Sequence, residues 1–302
     1  MSESPPPFGR SSEQGAPAPR TCYRHSERET GVSCTRCERP ICPDCMHEAS
    51  VGFQCPSCVR EGNSKERATR TVFGGRVVEK PYVTWTLLGL IAAVYFLQMG
   101  TAQAFNAPVG SPLVNMFSMQ GVAAVEGGQW YRLITSAFLH GGLFHVLFNG
   151  YALFLLGTSL ERWLGHARFL ALWVLGALSG SVLSLLAVPL QPSVGASGAI
   201  FALFGAVFVI GRRLGLDTRM ITILLAVNLG ITFLVPGISW TAHIGGLVAG
   251  LAIGAVFALL PRGKADFRRR TLVHTLMLVS FSVLLVALAL GGPHVVWPYV
   301  LA

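Results

Sequence analysis

Apolar stretches dominate the chain from about residue 82 to its end. Most are close to the ~20 residues that a helix needs to cross a bilayer, and Pro81, Pro189 and Pro236 lie at their edges. The fourth stretch is shorter, which suits a helix that begins below the membrane surface in a protein cavity. The pattern predicts an all-α membrane protein. Its seven spans are expected at roughly residues 82–99, 138–157, 168–188, 197–211, 219–235, 240–260 and 271–290.

The N-terminal quarter of the chain lacks this pattern and divides by composition. Residues 1–20 are rich in Pro, Ser and Gly, which predicts disorder, and they have no apolar core of the kind found in a signal peptide. Residues 21–60 carry all seven cysteines, and residues 61–80 form a polar, basic linker. We expect a membrane core at 81–260, followed by a basic loop and a seventh helix at 261–302.

Composition favours a membrane protein over an ordinary soluble enzyme. Mean hydropathy is +0.56 and only 12% of the residues are charged. A formal charge of +9 is compatible with nucleic-acid binding, but the basic residues of the apolar region lie between the spans and form no patch of their own. We therefore expect no nucleic-acid partner. The excess of Arg over Lys is typical of a bacterial, GC-rich genome.

Positive charge is concentrated in alternate loops. Arg-rich segments precede the first predicted span and join the second to the third, the fourth to the fifth and the sixth to the seventh, whereas the other loops contain only Arg132 as a basic residue. Loops rich in Arg remain in the cytoplasm. The sequence therefore predicts a multi-pass protein of the bacterial plasma membrane, with a cytoplasmic N-terminus and an extracytoplasmic C-terminus.

Polar groups inside a membrane span cost free energy, and four stand out in the predicted spans: His145, Asn149, Ser197 and His243. Ser197 stands in the sequence GASG at the start of the fourth span. A serine at a helix N-terminus lies among free backbone N–H groups and the positive end of the helix dipole, both of which stabilise an oxyanion. The motif alone is a weak signal, because glycine-rich turns before helices are common.

The fourth and sixth spans each carry a face of small residues. These are Gly198, Ala202 and Gly205 after Ser197, and Gly246, Gly250 and Gly254 after His243. Small residues at these spacings let two membrane helices approach closely. Because both spans start on the outer side, parallel packing would bring Ser197 and His243 together. The alternative, that both faces serve only packing, does not explain why the two polar side chains lie at matching ends.

An acidic partner for His243 is missing from the predicted spans. The acidic residues after position 80 are Glu126, Glu161, Asp217 and Asp266. The last three are assigned to the cytoplasmic side, so only Glu126 could reach the histidine, and it would have to fold back. A Ser–His dyad is the remaining arrangement.

His145 and Asn149 are four residues apart and therefore share one face of the second span. Both side chains can donate hydrogen bonds, so with the backbone N–H of Ser197 they could form an oxyanion hole. His140 would border the same site nearer the surface. The alternative role for His145 and Asn149 is hydrogen bonding between helices.

These motifs together resemble the rhomboid family of intramembrane serine proteases. The matching segments are WYR at 130–132, FLHGGLFHVLFN at 138–149, GTSLERWLG at 157–165, GASG at 195–198 and AHIGG at 242–246. The resemblance covers about residues 81–260. It implies a rhomboid-like six-helix core, here with a seventh helix added, in a lipid bilayer.

The resemblance also implies roles for individual residues. Ser197 would be the nucleophile and His243 the general base and then the general acid, with oxyanion donors at His145 and Asn149. An outer loop carrying Trp130 and Arg132 would be structural, and the substrates would be membrane proteins with a transmembrane segment. The chain departs from the family at Phe201, where a tyrosine often stacks on the histidine; a phenyl ring can still stack, but the hydroxyl is lost.

The cysteine segment contains metal-ligand pairs at two-residue spacing: Cys22/His25, Cys34/Cys37, Cys42/Cys45 and Cys55/Cys58. Eight ligands suit two tetrahedral zinc ions, and an odd cysteine count argues against a disulfide framework. About forty residues cannot build a stable apolar core, so we expect structural zinc to hold this domain folded.

The segment resembles a B-box-type zinc finger, which would bind a cytoplasmic protein partner. Cross-bracing would combine the first ligand pair with the third and the second with the fourth, but sequential pairing is also compatible with the sequence. His47 is a candidate substitute ligand.

Three other functions compete with proteolysis. An inactive rhomboid-like protein that only binds membrane helices would lack the serine or the histidine, and both are present. A transporter would need broken helices and charges within its spans. A membrane anchor for the zinc domain would need only one span.

Overall fold

The computed structural model describes residues 20–65, 71, 73, 77–102, 108–259 and 267–301. Contacts divide the chain into two compact units, residues 1–68 and 69–302. The disorder expected for residues 1–20 lies almost entirely outside the described residues, as do much of the predicted linker and the basic loop before the last helix.

The N-terminal unit contains little regular structure. A two-stranded antiparallel hairpin pairs β1 (His47–Glu48) with β2 (Phe53–Gln54), and helix α1 (Pro56–Lys65) follows it. Apart from Ile41, the fully buried side chains at its centre are cysteines. Apolar burial alone is therefore small for this unit, as the sequence predicts for a segment of this length.

The second unit is helical. Its helices are α2 (Tyr82–Thr101), α3 (Pro112–Phe117), α4 (Gly121–Val125), α5 (Arg132–Thr135), α6 (Leu143–Leu164), α7 (His166–Ala187), α8 (Ser197–Leu214), α9 (Arg219–Leu234), α10 (Trp240–Leu259) and α11 (Phe267–Val300). Within the described residues, six helices are long and apolar enough to cross a membrane: α2, α6, α7, α8, α10 and α11. Helix α9 is apolar but has only 16 residues.

Two helices differ most from the bounds that hydropathy predicts. Helix α6 begins at Leu143 and not at residue 138, because residues 136–138 form a separate 3-10 turn. Helix α11 has 34 residues, which is about 50 Å of helix against a hydrocarbon core of ~30 Å. It continues through Pro293, where hydropathy predicts an end near residue 290.

Helices α8 and α10 are in backbone contact along most of their lengths. A methyl group built on Gly246 would overlap the carbonyl group of Gly198, and one built on Gly250 would overlap the backbone of Ala202. The residue numbers of the contacting pairs increase together along the two helices, from 198 with 246 to 202 with 250. The two helices are therefore parallel, which confirms the packing predicted from their small residues.

Helix α7 packs closely on α10 as well. A methyl group on Gly180 would lie 2.7 Å from the carbonyl oxygen of Ala242, and one on Gly245 would lie 2.5 Å from that of Ser179. The two largest fully buried side chains, Trp173 and Phe169, come from α7, and the third, Phe257, comes from α10. The core of the unit is thus α7, α8 and α10.

A buried carboxylate joins the end of α6 to the start of α2. Glu161 is fully buried and accepts hydrogen bonds from the N–H groups of Val83 (2.9 Å) and Thr84 (2.8 Å) and from the Thr84 hydroxyl (2.6 Å). These N–H groups belong to the first turn of α2, where a helix leaves its donors unpaired and favours negative charge. The contact fixes the first long helix against the second.

The contact between α8 and α10 predicts that replacing Gly250 will destabilise the helical unit much more than replacing Gly89. Gly250→Val should destabilise the helical unit by about 1–3 kcal/mol or more, because the new side chain must displace the backbone of Ala202. Gly89→Val is the matched control, since nothing lies within 4 Å of a methyl group at that helical position. Unfolding midpoints in detergent measure both, and equal midpoints for the two variants would contradict the packing described here.

Candidate active site

Ser197 is the first residue of α8 and is partly buried. Gly195, two residues earlier, adopts φ +126°, a conformation that side chains other than glycine rarely take. The Gly195 N–H donates to the carbonyl oxygen of Ser136 at 2.9 Å, which anchors the turn. The serine side chain therefore emerges from a fixed turn, beside the unpaired N–H groups of a helix start.

His243 lies in the first turn of α10 and is 7% exposed. The ring of Phe201 stacks on its imidazole, with centroids 4.1 Å apart and planes 15° apart. The stacking that the sequence allows at this position is therefore present. It holds the imidazole plane against α8, one helical turn beyond Ser197.

The structure brings the turns that carry Ser197 and His243 into contact. A methyl group on Gly198 would lie 3.2 Å from the carbonyl oxygen of Ala242, so the residues that adjoin the two side chains are in backbone contact. Ser197 makes no side-chain hydrogen bond within the described part of the chain. Its hydroxyl is consequently not engaged by a competing partner.

His145 faces the serine turn from α6. A methyl group on Gly195 would lie 2.7 Å from Nε2 of His145 and 3.7 Å from Oγ of Ser197, so both atoms border the same point. Nδ1 of His145 accepts a hydrogen bond from the N–H of Gly141 at 3.2 Å. Because a neutral imidazole carries one proton, the proton is on Nε2, and that N–H is directed at the serine turn.

Asn149 and His140 lie on either side of His145 in the sequence. Asn149 is 7% exposed and lies one turn beyond His145 on α6. His140 is fully buried, and its ring meets that of His145 edge-on, with centroids 5.0 Å apart. The amide of Gln98 in α2 bonds both the N–H (2.9 Å) and the carbonyl (3.1 Å) of His140. This contact, which sequence analysis missed, fixes the loop that leads into α6.

The loop before α6 is held by Arg132, which is 5% exposed. Its guanidinium donates to the carbonyl oxygen of Ser118 at 2.9 Å and to the side-chain oxygen of Gln129 at 2.6 Å. The arginine therefore holds the segments around Ser118 and Gln129 together. These segments are distant in sequence from Ser197 and His243.

A hydroxyl that sequence analysis did not single out contacts the histidine. Oγ1 of Thr232, in α9, lies 2.6 Å from Nδ1 of His243. The sequence does not distinguish a threonine that contacts another helix from one that bonds only its own helix. Ser and Thr in helices commonly bond the carbonyl four residues earlier. Only the position of α9 against α10 reveals the contact.

The N-terminal unit gathers its ligand residues into two groups. Ligand atoms lie within 4.8 Å of one another in each group, and the groups are Cys22/His25/Cys42/Cys45 and Cys34/Cys37/Cys55/Cys58. This is the cross-braced combination, which the sequence left open against sequential pairing. All seven cysteines are free thiols. His47 is exposed in β1 and belongs to neither group among the described residues.

The distances within the groups suit a tetrahedral ion. Zinc bonds of about 2.3 Å to sulfur and 2.0–2.1 Å to nitrogen place sulfurs about 3.7 Å apart and nitrogen about 3.5 Å from sulfur. The Sγ atoms of Cys37 and Cys55 are 3.7 Å apart. Nδ1 of His25 lies 3.3 Å from the sulfur of Cys42 and 3.5 Å from that of Cys45.

The thiols of each group differ in acidity. Burial acts to raise the pKa of Cys22, but hydrogen bonds from the surrounding backbone outweigh it and lower this pKa to about 6. Burial and hydrogen bonds with neighbouring thiols raise the pKa of Cys45 to about 11. The other group shows the same contrast between Cys34, at about 6, and Cys58, at about 12. A bound cation would favour the ionised form of Cys45 and Cys58, because it would neutralise the negative charge of the thiolates.

The fold and the site define a polytopic helical membrane protein with a serine at a helix start beside a buried histidine. A rhomboid domain family matches residues 127–260. The rhomboid protease GluP of Bacillus subtilis is 34% identical over 217 residues, which are 70% of this chain and 40% of GluP.

Two further relatives extend the comparison. The putative rhomboid protease YdcA of Bacillus subtilis is 40% identical over 156 residues, which are 49% of this chain and 78% of YdcA. RHOMBOID-like protein 6 of Arabidopsis thaliana, described as mitochondrial, is 31% identical over 54% of this chain and 56% of its own. The chain thus spans less than two thirds of GluP and of the Arabidopsis protein. It belongs to the rhomboid family.

Proposed function

We propose that the chain is an intramembrane serine endopeptidase that cleaves membrane proteins within or beside a transmembrane segment. The observation that carries this proposal is the position of Ser197, at the N-terminus of α8, against His243 in the parallel helix α10. Membership of a family whose relatives are named as proteases supports the same reaction. An inactive, helix-binding relative is disfavoured because both side chains are retained in contacting turns.

The reaction would proceed by acyl transfer. His243 takes the Ser197 proton as Oγ attacks the scissile carbonyl carbon, and the tetrahedral intermediate carries its negative charge on the former carbonyl oxygen. The Ser197 N–H, Nε2–H of His145 and the side-chain amide of Asn149 would stabilise that charge. The protonated histidine then donates to the leaving amine. Water, activated by His243, releases the acyl group and restores the serine.

For the N-terminal unit we assign one structural zinc ion to each ligand group, giving a B-box-type zinc finger. The ions would supply the cross-links that a cysteine-centred core lacks. The loop charges favour a cytoplasmic position for this unit and an extracytoplasmic C-terminus. Its role would be to bind a cytoplasmic protein, such as a regulator or the tail of a substrate.

The first test is cleavage of a single-pass model substrate by the purified chain in detergent. Ser197→Ala and His243→Ala should each lower kcat/KM by about 10³-fold or more, and the double variant should be no worse than either, since the two side chains act as a unit. Ser282→Ala is the matched control, because that hydroxyl bonds only the carbonyl of Leu278 in its own helix among the described contacts. Substantial cleavage by either single variant would refute the assignment.

The second test concerns the oxyanion donor. Gly195→Ala should lower kcat/KM by on the order of 10²-fold, because its methyl group would displace Nε2 of His145. Gly128→Ala, at φ +63° and with nothing within 4 Å, is a control for replacing a glycine at positive φ where there is room, and it should retain activity. Comparable activity in the two variants would remove His145 from the site.

The third test is metal content. The full chain should carry about two zinc ions by elemental analysis, and Cys22→Ser or Cys34→Ser should each remove about one, because the two residues lie in different groups. His47→Ala, outside both groups, should still leave two. One ion in the unaltered chain would mean that some of the pairs are not ligands.

A further inference from the structure

The histidine of the proposed dyad has a partner on a third helix. Thr232 is 3% exposed and is the buried residue of α9. Its hydroxyl oxygen lies 2.6 Å from Nδ1 of His243. Among the residues that the structure describes, it is the one side chain hydrogen-bonded to that imidazole. The contact is a short, buried hydrogen bond between α9 and α10, two helices that otherwise touch little.

The direction of this hydrogen bond follows from a second contact. Oγ1 of Thr232 also lies 2.7 Å from the carbonyl oxygen of Asn228, one turn earlier in α9. A carbonyl can only accept, so the single hydroxyl proton of Thr232 is donated to Asn228. The lone pairs that remain on Oγ1 face His243. Nδ1 of His243 must therefore be the donor in the bond to Thr232.

A proton on Nδ1 leaves Nε2 of the neutral imidazole unprotonated. Nε2 is the ring atom that would accept the Ser197 proton if His243 is the general base. A hydroxyl of fixed orientation can thus select the tautomer and hold the ring, as a carboxylate does in a Ser–His–Asp triad. It brings no negative charge, so it would contribute orientation without neutralising the imidazolium.

We propose that Thr232 is a positioning residue, which acts through His243 by fixing its tautomer and ring orientation; this inference rests on the proposed protease function. The acidic residues described in the helical unit do not take this place. Glu161, which is fully buried, is engaged with α2. The residue that orients His243 is therefore a neutral hydroxyl, in the position that a carboxylate takes in a Ser–His–Asp triad. The sequence had predicted a Ser–His dyad with no such third residue.

The test compares threonines of the same helix. Thr222 donates to the carbonyl of Thr218, as Thr232 does to Asn228, but bonds no histidine among the described contacts. Thr232→Val keeps the shape and removes the hydroxyl, so kcat should fall about 10- to 100-fold with KM little changed. Thr222→Val should match the unaltered chain. Thr232→Ser keeps the oxygen and should recover most of the activity.

A second readout separates positioning from folding. The rate at which a small fluorophosphonate phosphonylates Ser197 depends on the base beside it and on no transmembrane substrate. It should fall with kcat in Thr232→Val, at an unfolding midpoint close to that of Thr222→Val. If Thr232→Val proves unstable, the comparison moves to Thr232→Ser against Thr232→Ala, in which only the first retains the hydroxyl.

The outcomes are distinct. If Thr232→Val cleaves substrate and reacts with the probe within twofold of Thr222→Val, the threonine has no positioning role. The same conclusion holds if Thr232→Ser is as impaired as Thr232→Ala. If the unaltered chain neither cleaves substrate nor reacts with the probe, the protease function itself fails, and this inference fails with it.

Discussion

The site depends on one constraint, the contact of two helix backbones. Helices α8 and α10 approach until Gly246 meets Gly198 and Gly250 meets Ala202, with no room for another heavy atom. Since the residues in contact are four apart on each helix, the register is fixed along several turns, and a shift by one residue would place side chains where only backbone fits. A serine one residue before the first contact and a histidine three residues before its partner must then lie at the same depth. The glycines therefore fix where the two side chains lie and take no part in the proposed reaction.

Polar groups elsewhere in the helical unit hold the surroundings of that pair. Glu161 meets the first turn of α2, Arg132 meets the Ser118 carbonyl, and Gln98 bonds both backbone groups of His140. Each buried charge or amide is matched to backbone groups that would otherwise be unpaired, which is the condition for burying it without a large cost. Ser197 differs, because the described part of the chain offers its hydroxyl no such partner. Oγ of Ser179 and Nε2 of His140 also lack a hydrogen-bond partner among the described residues, so it is the position beside the turn of His243 that distinguishes Ser197.

Local spacing in the sequence was enough to predict some of these contacts, whereas contacts that depend on how distant segments meet were missed. Small residues four apart indicated the parallel contact of α8 and α10, and two-residue spacing indicated the ligand pairs. Spacing along the chain does not determine how those pairs combine, so cross-bracing emerged only in three dimensions. Helix α11 passes Pro293 because a proline removes one hydrogen bond without forbidding a helix, whereas hydropathy ends the span near it. The contact of Thr232 with His243 could not be predicted from the sequence, because the other bond of Thr232, to the carbonyl of Asn228, is one that helical threonines commonly make.

Two histidines near Ser197 carry opposite tautomers, and each is set by a single contact at Nδ1. In His145 that atom accepts from the N–H of Gly141, so Nε2 keeps a proton and can donate. In His243 it donates to Thr232, so Nε2 is bare and can accept. The proposed base and the proposed oxyanion donor require this opposition, because His243 would take the serine proton while His145 would offer a proton to the developing negative charge. Identical side chains thus acquire different capacities from their neighbours, a backbone amide in one case and a hydroxyl already committed as a donor in the other. No carboxylate is needed to give His145 and His243 different tautomers.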